Sequence, residues 1–203
     1  MNHIDTLSEL FAKFPGIGMR QSKRFVYFLL SQPSTYVNDL AKAIRELQQA
    51  TNTCKACFVH FENNDAELCA MCSKPTIDTT TLLIVSKDSD YENIRRTNIY
   101  HGRIFVLGGL VPAIETNVEQ YIRIRELEEK IKEYIKTGLK EIVLALSLTP
   151  QGEHTDHYLR VRLAPYITTD TVSLSSLGRG LSTGSELEYA DTETMANAFK
   201  NRH

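Results

Sequence analysis

Residues 54–72 read Cys54-Lys55-Ala56-Cys57-Phe58-Val59-His60-Phe61-Glu62-Asn63-Asn64-Asp65-Ala66-Glu67-Leu68-Cys69-Ala70-Met71-Cys72, and they contain all 4 cysteines of the 203-residue chain. The pattern Cys-x2-Cys-x11-Cys-x2-Cys aims two pairs of thiolates at one point, which is how a tetrahedral all-sulfur zinc site is closed. A pair of disulfides or a redox Cys-x-x-Cys are the competing readings. Met1–Glu9 lacks the basic start and apolar middle of an export signal, and the run Leu82-Leu83-Ile84-Val85 is far too short to span a bilayer. The expected compartment is therefore the cytoplasm, with no membrane association, and thiols there stay reduced. Duplication of the motif argues against a redox centre. A closed four-cysteine site leaves no open position for substrate, so one structural Zn2+ per chain is expected on Cys54, Cys57, Cys69 and Cys72. A segment this short buries no core of its own, and the metal would supply folding free energy on the order of 10 kcal/mol.

Toward the N-terminus the chain reads as all-helical. Thr6-Leu7-Ser8-Glu9 is a capping-box pattern opening a helix over 5–14, with Leu7, Leu10, Phe11 and Phe14 at helical spacing. Pro15-Gly16 breaks it. Further helices are expected over about 19–31 and 34–49, the latter carrying Val37, Leu40, Ile44 and Leu47. The segment Phe14-Pro15-Gly16-Ile17-Gly18 between two helices is a helix-hairpin-helix signature. Gly16 and Gly18 permit a tight turn and a close approach to phosphate, and the next helix offers free amides and a positive dipole end. Arg20, Lys23 and Arg24 follow in its first turns and would add phosphate contacts that bind DNA without reading sequence. A plain corner between two helices with solvated basic residues has the same pattern.

Toward the C-terminus, apolar runs alternate with helical patterns. Strands are expected at Thr81–Ser86, Arg103–Leu107, Glu141–Leu146 and Thr171–Leu174, and helices at about 88–97, 118–137 and 153–164. That order requires crossover connections and a mostly parallel sheet, hence a multi-domain α/β fold. A Gly- and Ser-rich loop (178–185), the stretch Leu187-Glu188-Tyr189-Ala190-Asp191 and a short final helix complete the chain. The expected domains are 1–53, 54–77, 78–175 and 176–203. Composition is ordinary, with 42% hydrophobic and 24% charged residues, and the net charge of −2 makes no global case for nucleic acid. Such a case rests on the local basic cluster.

Ligands in parallel sheets bind at strand ends, and Mg2+-dependent phosphoryl chemistry there needs carboxylates. Asp88, Asp90 and Glu153 are the available acids, yet the strand-end positions themselves hold Ser86 and Ser147. His154 and His157, near Asp156, and His60 within the cysteine segment read as solvated residues rather than metal ligands.

Together these pieces resemble the bacterial RecR family of recombination mediators: Phe14–Gly18 followed by Arg24, the cysteine quartet, Val106-Leu107-Gly108-Gly109-Leu110, and Arg179-Gly180-Leu181 running into Leu187–Asp191. The resemblance spans essentially the whole chain. It implies that the α/β part is a Toprim domain, that Leu187–Asp191 is a Walker-B-like segment, and that the protein is a homotetrameric ring clamping single- and double-stranded DNA. It further implies partners of the RecO and RecF type in loading RecA, and it carries DNA contacts onto Arg20 and Arg24; Lys23 is added from its charge and helix position. Two departures stand out. Val85-Ser86-Lys87-Asp88 replaces the family's usual Val-Glu-Glu-Pro, and Ser147-Leu148-Thr149-Pro150-Gln151-Gly152-Glu153 replaces Asn-Pro-Thr-x-Glu-Gly-Glu. Loss of these acids argues against enzymatic activity. A Mg2+-dependent Toprim nuclease or primase-like enzyme using Asp88, Asp90 and Glu153 stays as one alternative, and a zinc-stabilised protein adaptor as another.

Overall fold

The computed structural model describes residues 2–62, 65–114, 117–167, 172–178, 180–181, 184 and 186–200. Thr171, Arg179 and much of the 178–185 loop lie outside the described residues. The chain divides into two compact units, Met1–Thr51 and Asn52–His203.

The first unit holds α1 (His3–Phe11), α2 (Met19–Leu30) and α3 (Ser34–Ala50). The first helix starts earlier than the capping-box pattern indicates. Asn2 is its N-cap, its side chain accepting from the amide of Ile4 at 3.0 Å, and the Thr6 hydroxyl donates back to the carbonyl of Asn2. An asparagine one turn upstream satisfies the same orphan donors, so Thr6 falls inside the helix. Phe11 joins α1 to its neighbour, its ring meeting Phe14 at 5.7 Å and Phe25 at 5.8 Å, both edge-on.

From the last residue of the first unit onward runs a two-stranded ribbon, β1 (Thr51–Thr53) and β2 (His60–Glu62), around the first Cys-x-x-Cys turn. Then follow β3 (Asp78–Val85), α4 (Asp88–Thr97), β4 (Gly102–Val106), α5 (Ile124–Lys136), β5 (Glu141–Ala145), α6 (Pro150–Leu163), β6 (Ser173–Ser176) and α7 (Thr192–Lys200). The four longer strands form one parallel sheet in the order β4-β3-β5-β6, with Leu83 opposite Ile104 and Val143. Strand alternation sends successive side chains to opposite faces. Leu82, Ile84, Phe105, Ile142 and Leu144 pack under Leu127 and Ile131 of α5 and Leu159 and Leu163 of α6. Leu83, Val85, Ile104 and Val106 face the other way, where Tyr91 of α4 and the cysteine segment cover them.

The long helix expected over 118–137 is broken. Residues 118–120 form a 3₁₀ turn and α5 starts only at Ile124. Between them Arg123 gives its backbone amide to the carbonyl of Leu107 at 2.8 Å and its guanidinium to that of Val106 at 3.1 Å. The end of an edge strand thus captures chain that helical periodicity alone would have continued.

Candidate metal centre and nucleic-acid interface

The first Cys-x-x-Cys turn is closed by hydrogen bonds from the amide of Phe58 to the carbonyl of Cys54 and from the amide of Cys54 to the carbonyl of Val59, both 2.9 Å. At the second, the amide of Ser73 reaches the carbonyl of Cys69 at 3.0 Å, and the amide of Cys69 points at the sulfur of Cys54 at 3.4 Å. All four sulfurs lie within 4.8 Å of one another, and those of Cys57 and Cys69 are 3.6 Å apart. A disulfide needs roughly 2.05 Å between sulfurs, and the four thiols are free. A tetrahedron with metal–sulfur bonds of about 2.3 Å has edges of about 3.8 Å, which this cluster matches. Cys54, Cys57 and Cys69 are buried and Cys72 is half-buried. Four thiolates crowd this space only around a cation, so the donor set fits a metal ion.

The quartet is not a free-standing finger. The carbonyl of Cys57 accepts from the amide of Val106 at 2.8 Å, covering the open edge of β4. Phe58 sits at φ 63°, a left-handed conformation uncommon for a bulky residue, and its ring packs 5.1 Å from that of Phe105. The Arg123 guanidinium lies 5.7 Å above the Phe58 ring. None of these contacts has a signal in the spacing of the cysteines.

In the hairpin, Gly16 has φ +76°, which a side chain adopts only with strain. Gly18 differs from expectation. It is the N-cap of α2 with φ −86°, ordinary extended backbone, and a Cβ there would meet nothing within 4 Å. Its contribution is open space, since it puts no side chain over the amides at the start of α2. Arg20, Lys23 and Arg24 are all exposed, and Arg24 reaches Gln21 at 3.2 Å. Helical spacing places Tyr27 on the same face, three residues beyond Arg24, with 58% of its surface exposed. Tyr27 is not among the expected contact residues, although its helical spacing from Arg20, Lys23 and Arg24 is a sequence signal for it. No acidic residue occurs between Met19 and Leu30.

The acids at the strand ends are occupied otherwise. Asp90 accepts from the Ser86 hydroxyl at 2.6 Å and from the amide of Lys87 at 3.0 Å, making it a cap for α4. Asp88 accepts from the amide of His60 at 2.7 Å, with the His60 ring 3.0 Å away. Thr149 caps α6 through the amide of Gly152 at 3.1 Å, and a Cβ on Gly152 would come within 2.0 Å of the Ser147 carbonyl. His154 and His157 are exposed, while Asp156 pairs with Arg160 at 2.6 Å. Among the described residues, the cysteine quartet is the only group of three or more potential metal ligands close enough to share an ion. Asp191 caps α7 by accepting from the amide of Thr194 at 2.9 Å, and Leu187–Tyr189 before it forms a 3₁₀ turn.

The parallel sheet, with α5 and α6 on one face and α4 and the four-cysteine knuckle on the other, is that of a Toprim-type α/β protein, and the family description "Toprim domain" matches residues 80–170. A second description, "RecR, C-terminal", matches residues 180–203. Over 191 residues the chain is 34% identical to the recombination protein RecR of Syntrophobacter fumaroxidans, covering 94% of this chain and 90% of that one. It is 31% identical to RecR of Chlorobium chlorochromatii (98% and 95% covered) and 33% identical to RecR of Bacteroides thetaiotaomicron (95% and 89%). The chain belongs to the RecR family of recombination proteins. Among the described residues no helix is long and apolar enough to cross a membrane.

Proposed function

We propose that this chain is a non-catalytic DNA-binding component of recombinational repair, acting as a homotetrameric ring in which the four cysteines of each subunit hold one structural zinc ion. The observation that carries the DNA reading is the start of α2. Gly18 leaves the first amides uncovered, and an acid-free face presents Arg20, Lys23, Arg24 and Tyr27 together. Amides and cations hold phosphates regardless of base, and an exposed tyrosine stacks on the bases of a single strand. Binding to both single- and double-stranded DNA follows from backbone contacts. Repetition of the patch in a ring answers the small negative net charge of one chain.

Assembly has its own support. Val37 and Leu40 of α3 are half-buried, but Tyr36, Ile44 and Leu47 are 45%, 57% and 58% exposed. Apolar area of this kind on a helix suits association between copies. The non-catalytic reading is supported by Ser86 at the first strand end and by Asp90 acting as a helix cap. Partners of the RecO and RecF type, and a role in loading RecA, follow from family membership alone.

Replacing Arg20 and Arg24 together with alanine tests the site. DNA affinity should fall about equally for unrelated sequences, and the slope of log affinity against log salt should flatten by about two. Unchanged affinity and slope would move the site elsewhere. Solution mass with and without DNA tests the ring, and a stable monomer would remove it. A folded, metal-loaded protein that binds no DNA at low salt would favour a protein-only adaptor.

A further inference from the structure

The first turn of α4 carries a residue that reaches the cysteine cluster. Tyr91 is 3% exposed, and its hydroxyl lies 3.4 Å from the sulfur of Cys69, 22 residues away in sequence. A buried phenol requires a hydrogen-bond partner, and here the partner is sulfur. The direction of the bond is fixed by chemistry. A metal-bound cysteine is a thiolate and can only accept, so the phenol must donate. Four thiolates around a divalent ion carry a formal net charge of −2, and each donor to a sulfur draws part of that charge away from the metal. The amide of Cys69 does so at Cys54. The hydroxyl is held in place by the turn it sits on. Asp90, its neighbour, ties the helix start to Ser86 and Lys87, and the ring packs among Leu83, Val85 and the cysteines. A donor aimed in advance by packing is the arrangement that outer partners of metal ligands adopt.

We propose that Tyr91 is a positioning residue of the metal centre, donating its hydroxyl to the Cys69 thiolate and thereby slowing the release of the bound ion. This rests on the reading of the quartet as a metal site. Its consequence is that metal retention depends on the helix start immediately after the first Toprim strand, so the two features are chemically joined.

The test uses the full chain loaded with Co2+ for spectroscopy and with Zn2+ for release. Removing a donor from a thiolate raises the energy of its sulfur electrons, so Tyr91→Phe should move the sulfur-to-cobalt charge-transfer band to longer wavelength. Transfer of zinc to a chromophoric chelator should be about 10- to 100-fold faster. Ile94→Ala, which opens the same apolar cluster but removes no hydrogen-bond donor, should lower stability yet leave the band in place. A second measurement needs no substitution. In wild-type protein loaded with the NMR-active isotope of cadmium, the Tyr91 hydroxyl proton should exchange slowly and show coupling to the metal. An unshifted band with unchanged release in Tyr91→Phe, or a hydroxyl proton uncoupled from cadmium, would overturn the proposal. Wild-type protein that takes up neither cobalt nor zinc would instead remove the metal reading beneath it.

Discussion

The carbonyl oxygen of Cys57, a candidate metal ligand, accepts a 2.8 Å hydrogen bond from the amide of Val106 on the edge strand of the parallel sheet. Cys54, Cys57 and Cys69 are also part of the apolar cluster that covers one face of that sheet. The metal is therefore expected to stabilise the whole Asn52–His203 unit rather than a small appended finger. A structural site of this kind contributes on the order of 10 kcal/mol, comparable to the entire stability of a domain. Cys57→Ser, or stripping the metal with a chelator, should abolish the cooperative unfolding of this unit and expose the Val106 amide to hydrogen exchange. A metal-free protein that still protects Val106 would separate the knuckle from the sheet.

Phe58 offers a test of backbone strain. Its left-handed φ disfavours any side chain, while its ring packs on Phe105. Phe58→Ala loses the ring contact and keeps the strain, with an expected cost of roughly 2 kcal/mol for a partly buried ring. Phe58→Gly loses the same contact but relieves about 1 kcal/mol of strain. Chemical denaturation should therefore find the glycine variant no less stable than the alanine one, against the usual order. An alanine variant clearly the more stable would contradict the left-handed conformation.

Asp90 separates a structural acid from a catalytic one. Asp90→Ala removes a helix cap and leaves the 3%-exposed Ser86 hydroxyl without its acceptor. The expected loss is about 2 kcal/mol. Millimolar Mg2+ should leave the melting temperature of wild type and variant equally unaffected. If Mg2+ stabilised the wild type alone, Asp90 would be a metal ligand after all.

Two buried phenols, Tyr91 and Tyr134, and a half-buried one, Tyr100, set the alkaline limit of the second unit. Burial is the first cause in each case. It pushes Tyr100 up to about 12, and it raises Tyr91 and Tyr134 as well. The sign follows directly. The folded state favours the neutral phenol, so this contribution is complete below the unfolded value near pH 10 and is lost as pH rises from there toward 12. Tyrosinate absorbance followed alongside circular dichroism should show these residues ionising together with the loss of structure. Full ionisation of all 9 tyrosines in a still-folded protein would refute their burial.

What could be read without the fold was whatever depends on neighbours along the chain. Two Cys-x-x-Cys turns define their own local geometry, so the quartet was legible from spacing alone. The run Leu82–Val85, buried on both faces, announced a central parallel strand. The helix over 88–97 matches α4, Asp88–Thr97, because its acidic first turn and basic last turn are local signals. Spacing also put Arg20, Lys23 and Arg24 on one helix.

Tertiary structure decided everything that depends on a distant partner. Arg123 left the helical pattern because the end of β4 offered it two carbonyls. Asp88 and Asp90, available as metal ligands on composition, were claimed by His60, Ser86 and Lys87. Tyr91 found Cys69, and Cys57 found Val106, across separations at which no sequence period survives. Side-chain chemistry lists what each group is able to bond. Only the packed chain, in which each buried polar group must be paired where it lies, determines the partner it takes.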